Sequence, residues 1–311
     1  MHTKPVIVLG MHRSGTSLLA QLVHRAGVSA GDPRDLRPPD KANQDGFWEK
    51  RQVTRFNDEL LNAVCGSWVV PPRSPAAVAE LARQKSYVLE ARRIIHAMSV
   101  AGQPWMWKDP KLSLLLPFWS GLLKDAVYIV AVRKPTSIGR SLQRRDGFPA
   151  SAAILLWQVY LTSILRDLPP DAKVLFVSYE QLLSDPQAIC GRLIEFLRFS
   201  AGLSDRQCVK AKWLGRFVRH ELCHSDAEVD DLFLDDAQQG LYRHLVELTQ
   251  DSAVRRGAAS LSYPVFPGWR DYLQLWDRVL AFALQEDRKR FRFFPESNAS
   301  LELRSAVRRG C

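Results

Sequence analysis

The chain has 311 residues, 46% of them hydrophobic and 24% charged, with a formal charge of +10 at pH 7. That length suits one large α/β domain, or a core with a helical annex. The charge calls for anionic partners such as nucleotides, other polyanions or acidic lipid surfaces. The longest apolar candidates, 112–123 and 152–161, fall short of the ~18 to 20 residues of a membrane span, and Met1–Gly10 has no signal-peptide pattern, so a soluble cytoplasmic protein is expected.

Val6 to Leu9 is a β-branched apolar run ending at Gly10, which predicts a buried strand, and Gly15 to Val23 predicts the helix after it. Gly27 to Phe47 is rich in Gly, Pro and Asp and predicts a long loop, of the kind that often carries function. Ser74-Pro75 opens a helix expected to run from Ala76 to Met98, and Trp105-Met-Trp107 follows as a short strand. Ala126 to Val132 is the clearest buried strand, with a helix from Pro135 and another from Pro149 to Leu168. Val174 to Ser178 is a further strand, with helical segments from Tyr179 and Pro186.

Strands alternating with helices from 5 to 200 predict a three-layer α/β sandwich around a parallel sheet, with ligands beyond the carboxyl ends of its strands. Residues 1–200 form the expected core. Residues 201–311 form an expected helical extension packed on it, with helices over Asp235–Thr249 and Trp269–Arg290. The five cysteines, Cys65, Cys190, Cys208, Cys223 and Cys311, lack metal-ligand spacing and read as reduced thiols.

Gly10-Met-His-Arg-Ser-Gly-Thr-Ser17 has the spacing of the Walker phosphate loop between a strand and a helix, but Thr16 stands where that loop has lysine. Its backbone can still cradle an anion, and Arg13 supplies a forked cation. A donor with one bridging phosphate and a sulfate fits this better than ATP. Arg133 ends the best strand, and Ser141 lies eight residues on, within the next helix, so both reach one phosphate across the helix start.

Together these two elements resemble the signatures of sulfotransferases that use 3′-phosphoadenosine-5′-phosphosulfate (PAPS), over roughly residues 5 to 200. The resemblance implies that Arg13, Ser14, Gly15, Thr16 and Ser17 hold the 5′-phosphosulfate and that Arg133 and Ser141 hold the 3′-phosphate. It also implies the fold shared by P-loop kinases and sulfotransferases, and no catalytic metal. Asn43-Gln-Asp-Gly-Phe-Trp-Glu49 resembles a segment of prokaryotic and glycan-directed members, with Glu49 as the base and Asp45 and Asp40 as alternates. His12, His24 and His96 lie in no segment that matches the histidine base of cytosolic members.

Trp107-Lys-Asp-Pro-Lys111 resembles a segment of bacterial sulfotransferases. Lys108 there would steady charge on the sulfuryl or bridging oxygens, and Asp109 would orient Lys108 or Arg13 through an ion pair. Arg216, Arg219 and Arg255-Arg256 are further nucleotide candidates, while Trp157 and Tyr160 read as core. The resulting expectation is in-line transfer of a sulfuryl group to a hydroxyl, with Glu49, Lys108 and Arg13 catalytic. The resembled segment points to a glycan or glycolipid acceptor. No nucleic-acid partner is expected, and the basic surface suits peripheral contact with an anionic membrane. A P-loop kinase or NTPase and a non-catalytic polyanion-binding protein are the alternatives.

Overall fold

A computed structural model of the chain describes residues 4–40, 43–99, 102–204, 209–218 and 232–250. Its centre is one parallel sheet of four strands, β1 (Pro5–Leu9), β2 (Trp105–Lys108), β3 (Val127–Val132) and β4 (Lys173–Ser178), in the order β2-β1-β3-β4. Val8 registers with Lys108 on one side and Ile129 on the other, and Val132 with Ser178. The strands therefore release Gly10, Asp109, Arg133 and Tyr179 along a single edge.

Both faces of the sheet are buried, and side-chain alternation divides them cleanly. Ile7, Leu9, Trp107, Tyr128, Val130 and Phe176 enter one hydrophobic layer. Val6, Val8, Met106, Ile129, Leu175 and Val177 enter the other. This explains why the strands read as continuous apolar runs.

Helix α1 (Thr16–Arg25) follows β1, and the long crossover to β2 carries α2 (Arg51–Ala63), α3 (Pro75–Leu81) and α4 (Lys85–Ser99). Helix α5 (Leu112–Trp119) lies between β2 and β3, and α6 (Pro135–Asp146) and α7 (Ala150–Asp167) between β3 and β4. After β4 come α8 (Tyr179–Ser184), α9 (Pro186–Phe196), α10 (Ala211–Gly215) and α11 (Asp236–Gln250). Leu19 and Val23 of α1, Leu182 of α8 and Leu193 of α9 cover one face. Phe56 of α2, Leu115 of α5, Trp157 of α7, and Leu241 and Leu245 of α11 cover the other.

The single helix expected from Ala76 to Met98 is broken at Ala82–Gln84. Val78 and Leu81 are buried in α3, and Ala91, Ile94 and Met98 in α4. Ten residues of unbroken helix would turn Ala91 about 80° away from Leu81, so the break brings both apolar stripes to the same core. Trp269–Arg290 and most of the expected extension lie outside the described residues. Among the described residues no helix is long and apolar enough to cross a membrane. Cys190 is a buried free thiol that burial raises to about 11. Cys65 takes part in a disulfide, which corrects the expectation of reduced thiols for that residue. Spacing along the chain does not report which sulfurs meet in space.

Trp107 packs 5.2 Å from Trp119 and 4.9 Å from Trp105, clamping β2 to α5. A polar brace runs beside this clamp. Trp119 Nε1 donates to Asn57 Oδ1 at 2.9 Å, Asn57 Nδ2 donates to Asp109 Oδ2 at 3.0 Å, and the Lys111 backbone donates to Asp109 Oδ1 at 3.0 Å. Lys111 Nζ donates to Thr54 O and to Asp58, both on α2. Burial pushes the Asp109 carboxyl above its usual range, against the pull of Lys111 and Asn57. Asp109 was expected to pair with Lys108 or Arg13. It turns into the core instead, where Asn57 of α2 and the Lys111 backbone amide donate to it. Asn57→Leu keeps size but strands two buried polar groups, so it should cost about 2 to 4 kcal/mol. Urea denaturation should show a lower midpoint at unchanged slope.

Candidate active site

The loop from Gly10 to Gly15 curls out of β1 and is moored to α5. The Gly10 amide donates to Ser113 Oγ at 3.1 Å, and that hydroxyl donates to Gly10 O at 3.3 Å. Within the loop the Ser14 hydroxyl donates to Met11 O at 2.6 Å. Arg13 adopts a left-handed backbone with φ 68° and Gly15 has φ 91°. A Cβ on Gly15 would stand 2.5 Å from Tyr179 Cδ2, so only glycine lets the turn lie against that ring. Gly15 caps α1 without a side chain, and no acid sits in the first turn. The leading amides of α1 therefore point out of the helix with the positive end of its dipole.

The Gly10–Ser17 loop and the Arg133–Ser141 element meet directly. Arg13 Nε donates to Ser141 Oγ at 2.9 Å, and Arg133 Nη1 donates to Arg13 O at 2.9 Å. The Arg133 guanidinium lies 4.2 Å over the Tyr179 ring. Glu180 fixes the neighbouring turn, accepting from the Lys134 amide at 2.8 Å and from the Ser178 hydroxyl at 3.0 Å. Desolvation, followed by the charges of Arg145 and Arg133, lowers Arg13 to about 10. It stays a cation near neutrality, under a repulsion that an anion would relieve.

A second convergence lies on the other side of the loop. Lys108 Nζ stands 2.6 Å from Glu49 Oε1 and 3.2 Å from Ser17 Oγ. Asn43 Nδ2 donates to the same Ser17 hydroxyl at 3.0 Å, and that hydroxyl donates to Phe47 O at 3.4 Å. Arg37 Nη1 lies 3.5 Å from Glu49 Oε2, and its backbone amide donates to Glu49 O at 2.7 Å. Glu49 and Lys108 are both buried, 5% and 4% exposed. Each supplies the opposite charge that burial of the other requires.

Ser14, Gly15, Thr16 and Ser17 thus sit together with Arg13, Arg133 and Ser141, and Glu49 and Lys108 adjoin them through Ser17. Asp40 is exposed and 3.7 Å from Arg37. Asp45 is half-buried, and its carbonyl accepts from Trp48 Nε1 at 3.1 Å. Neither alternate shares the Lys108 contact in the hydrogen bonds described. Arg216 is exposed, while Arg219, Arg255 and Arg256 lie outside the described residues. Trp157 and Tyr160 are fully buried. Sequence reasoning missed Tyr179 and Glu180, although their place directly after a strand was a usable signal. It also missed Arg37 and Ser113, which have no motif and reach the site only through folding.

The family model described as "Sulfotransferase family" matches residues 5–201. No curated protein matches the chain in sequence. Among solved structures it is similar to the "Sulfotransferase Domain from the Curacin Biosynthetic Pathway", at 16% identity and TM-score 0.44, covering 78% of this chain and 98% of that one. It is also similar to the "Sulfotransferase Domain from the Synechococcus PCC 7002 Olefin Synthase", at 18% identity and TM-score 0.43, covering 79% and 95%. With a family match over well more than half of its length, joined to a parallel sheet whose first loop has phosphate-loop spacing without the lysine, the chain belongs to the sulfotransferase family.

Proposed function

We propose that the protein transfers a sulfuryl group from PAPS to a hydroxyl of a carbohydrate or glycolipid acceptor. The observation that carries the reading is the Arg13, Ser141 and Arg133 contact, which joins two phosphate-binding elements 120 residues and more apart in sequence. Such a joined pair suits a nucleotide with phosphate at both 5′ and 3′ positions. The glycan preference rests on the segment from Asn43 to Glu49 and its likeness to glycan-directed relatives.

In this reading the amides of Gly15, Thr16 and Ser17, with Arg13, hold the 5′-phosphosulfate, and Arg133 and Ser141 hold the 3′-phosphate. The acceptor oxygen attacks sulfur in line, and its proton passes to Glu49. The bond from sulfur to the 5′-phosphate oxygen breaks, and adenosine 3′,5′-bisphosphate leaves. Lys108, placed between Ser17 and Glu49, stabilises the charge that gathers on the bridging oxygen. No step needs a metal.

Two outcomes test the reading. Calorimetry should show adenosine 3′,5′-bisphosphate binding at least roughly 100-fold more tightly than AMP, the sum of two charge-assisted bonds. Arg133→Ala should remove most of that preference. It should also weaken AMP by roughly threefold to tenfold, since Arg133 holds the Arg13 carbonyl within the loop. Equal binding of the two nucleotides by the wild type would sink the donor assignment.

Glu49→Gln should lower sulfation of a glycan pool by roughly 100-fold or more, read by mass spectrometry, with bisphosphate affinity nearly unchanged. Turnover within a few-fold of wild type would move the role to Asp45 or Asp40.

A further inference from the structure

Four side chains beside the phosphate loop have no part in the mechanism above: His12, Trp68, Tyr160 and Arg145. The left-handed backbone at Arg13 parts two neighbours in sequence. Arg13 reaches Ser141, while the His12 ring packs 4.6 Å from Trp68 and 6.1 Å from Tyr160. The Tyr160 hydroxyl donates to Trp68 O at 2.8 Å and locks the two aromatic residues together. His12 Nε2 is enclosed and has no hydrogen-bond partner. A buried polar atom left unpaired costs stability unless something meets it.

Arg145 lies one helical turn beyond Ser141 and therefore on the same face of α6. Its guanidinium is 5.8 Å from the Trp68 ring centre. Asp146 holds it through Nε at 2.8 Å and Nη2 at 2.5 Å, which fixes its plane and leaves the Nη1 edge for another partner. The side chain is 23% exposed, so a solute can reach it. Desolvation, followed by the charges of Arg145, Lys108, Lys111 and Arg37, holds His12 well below its ordinary range, so the ring is neutral. Arg13 and Arg133 are matched by the two phosphates of the donor. Arg145 takes neither phosphate in that reading, and its pair with Asp146 uses only Nε and Nη2.

We infer that Arg145 and His12 form an anion subsite for the acceptor, so that the molecule sulfated carries a carboxylate or an existing sulfate near its reacting hydroxyl. The forked edge of Arg145 suits a carboxylate or sulfate face, and His12 supplies an uncharged hydrogen bond beside it. Asp146 keeps the guanidinium aligned between acceptors. The inference rests on the reading of the chain as a PAPS-dependent carbohydrate sulfotransferase, and it narrows the acceptor class within that reading.

The test is calorimetry on protein saturated with adenosine 3′,5′-bisphosphate, titrated with p-nitrophenyl β-glucuronide, the matched glucoside and the monosulfated glucoside. The two anionic probes should bind at least roughly 10-fold more tightly than the neutral one, a difference of about 1.4 kcal/mol. Arg145→Ala should erase the difference and leave bisphosphate affinity within about threefold, since Arg145 meets neither phosphate. His12→Phe, which keeps a ring against Trp68, should lose part of it. Equal affinity for all three probes, or binding of none, overturns the inference. So does a large loss of bisphosphate affinity in Arg145→Ala, which would give that residue to the nucleotide. A wild-type protein that fails to bind the bisphosphate removes the donor assignment itself, and is told apart at the saturation step.

Discussion

Arg133 is the hinge on which the site depends, because its guanidinium holds the backbone carbonyl of Arg13 while its own body lies on the Tyr179 ring. One cation thereby ties the ends of β1, β3 and β4 together. The loop that follows β1 bends through turns at the positive-φ residues Gly10, Arg13 and Gly15. Such turns persist where surrounding contacts over-determine them. Arg133 from one side, Ser113 from another and the Tyr179 ring beneath Gly15 supply those contacts. The arginines are thus organised before any ligand arrives, which lowers the ordering cost of binding.

Crowding several cations into a poorly hydrated edge is costly, and the fold offsets it locally. Lys108 is matched by Glu49, Lys111 by Asp109 and Asp58, and Arg145 by Asp146. Arg13 donates its Nε to the Ser141 hydroxyl, and burial followed by the charges of Arg145 and Arg133 lowers its pKa to about 10. The Lys108 pair has a second consequence. It links the segment from Asn43 to Glu49 with the end of β2, and Ser17 joins both to the phosphate loop. A shift of either segment would displace a carboxylate and a cation together.

The support behind that pair is apolar and polar at once. Trp105, Trp107 and Trp119 clamp β2, and Asn57 couples α2 to Asp109 immediately after Lys108. Glu49 stands two residues before α2 begins. The same buried network therefore fixes both partners of the Glu49–Lys108 contact through the backbone. Glu49, placed on a long loop, gains in this way the positional rigidity of a core element.

The sequence by itself determined the layer architecture and singled out the Gly10–Ser17 and Arg133–Ser141 elements. A parallel strand buried on both faces must be a continuous apolar run, as at Val6–Leu9 and Val127–Val132. Residues that share one turn must also be close along the chain, as in Gly10–Ser17 and in Arg133 with Ser141. Such signals are local and survive without coordinates. Only the tertiary structure decided that Asp109 turns to Asn57, that Glu49 finds Lys108, that Tyr179 supports Arg133 and that the expected helix breaks at Ala82–Gln84. Each of these depends on packing between elements distant in the chain, where several partners of the same chemistry compete and burial selects among them.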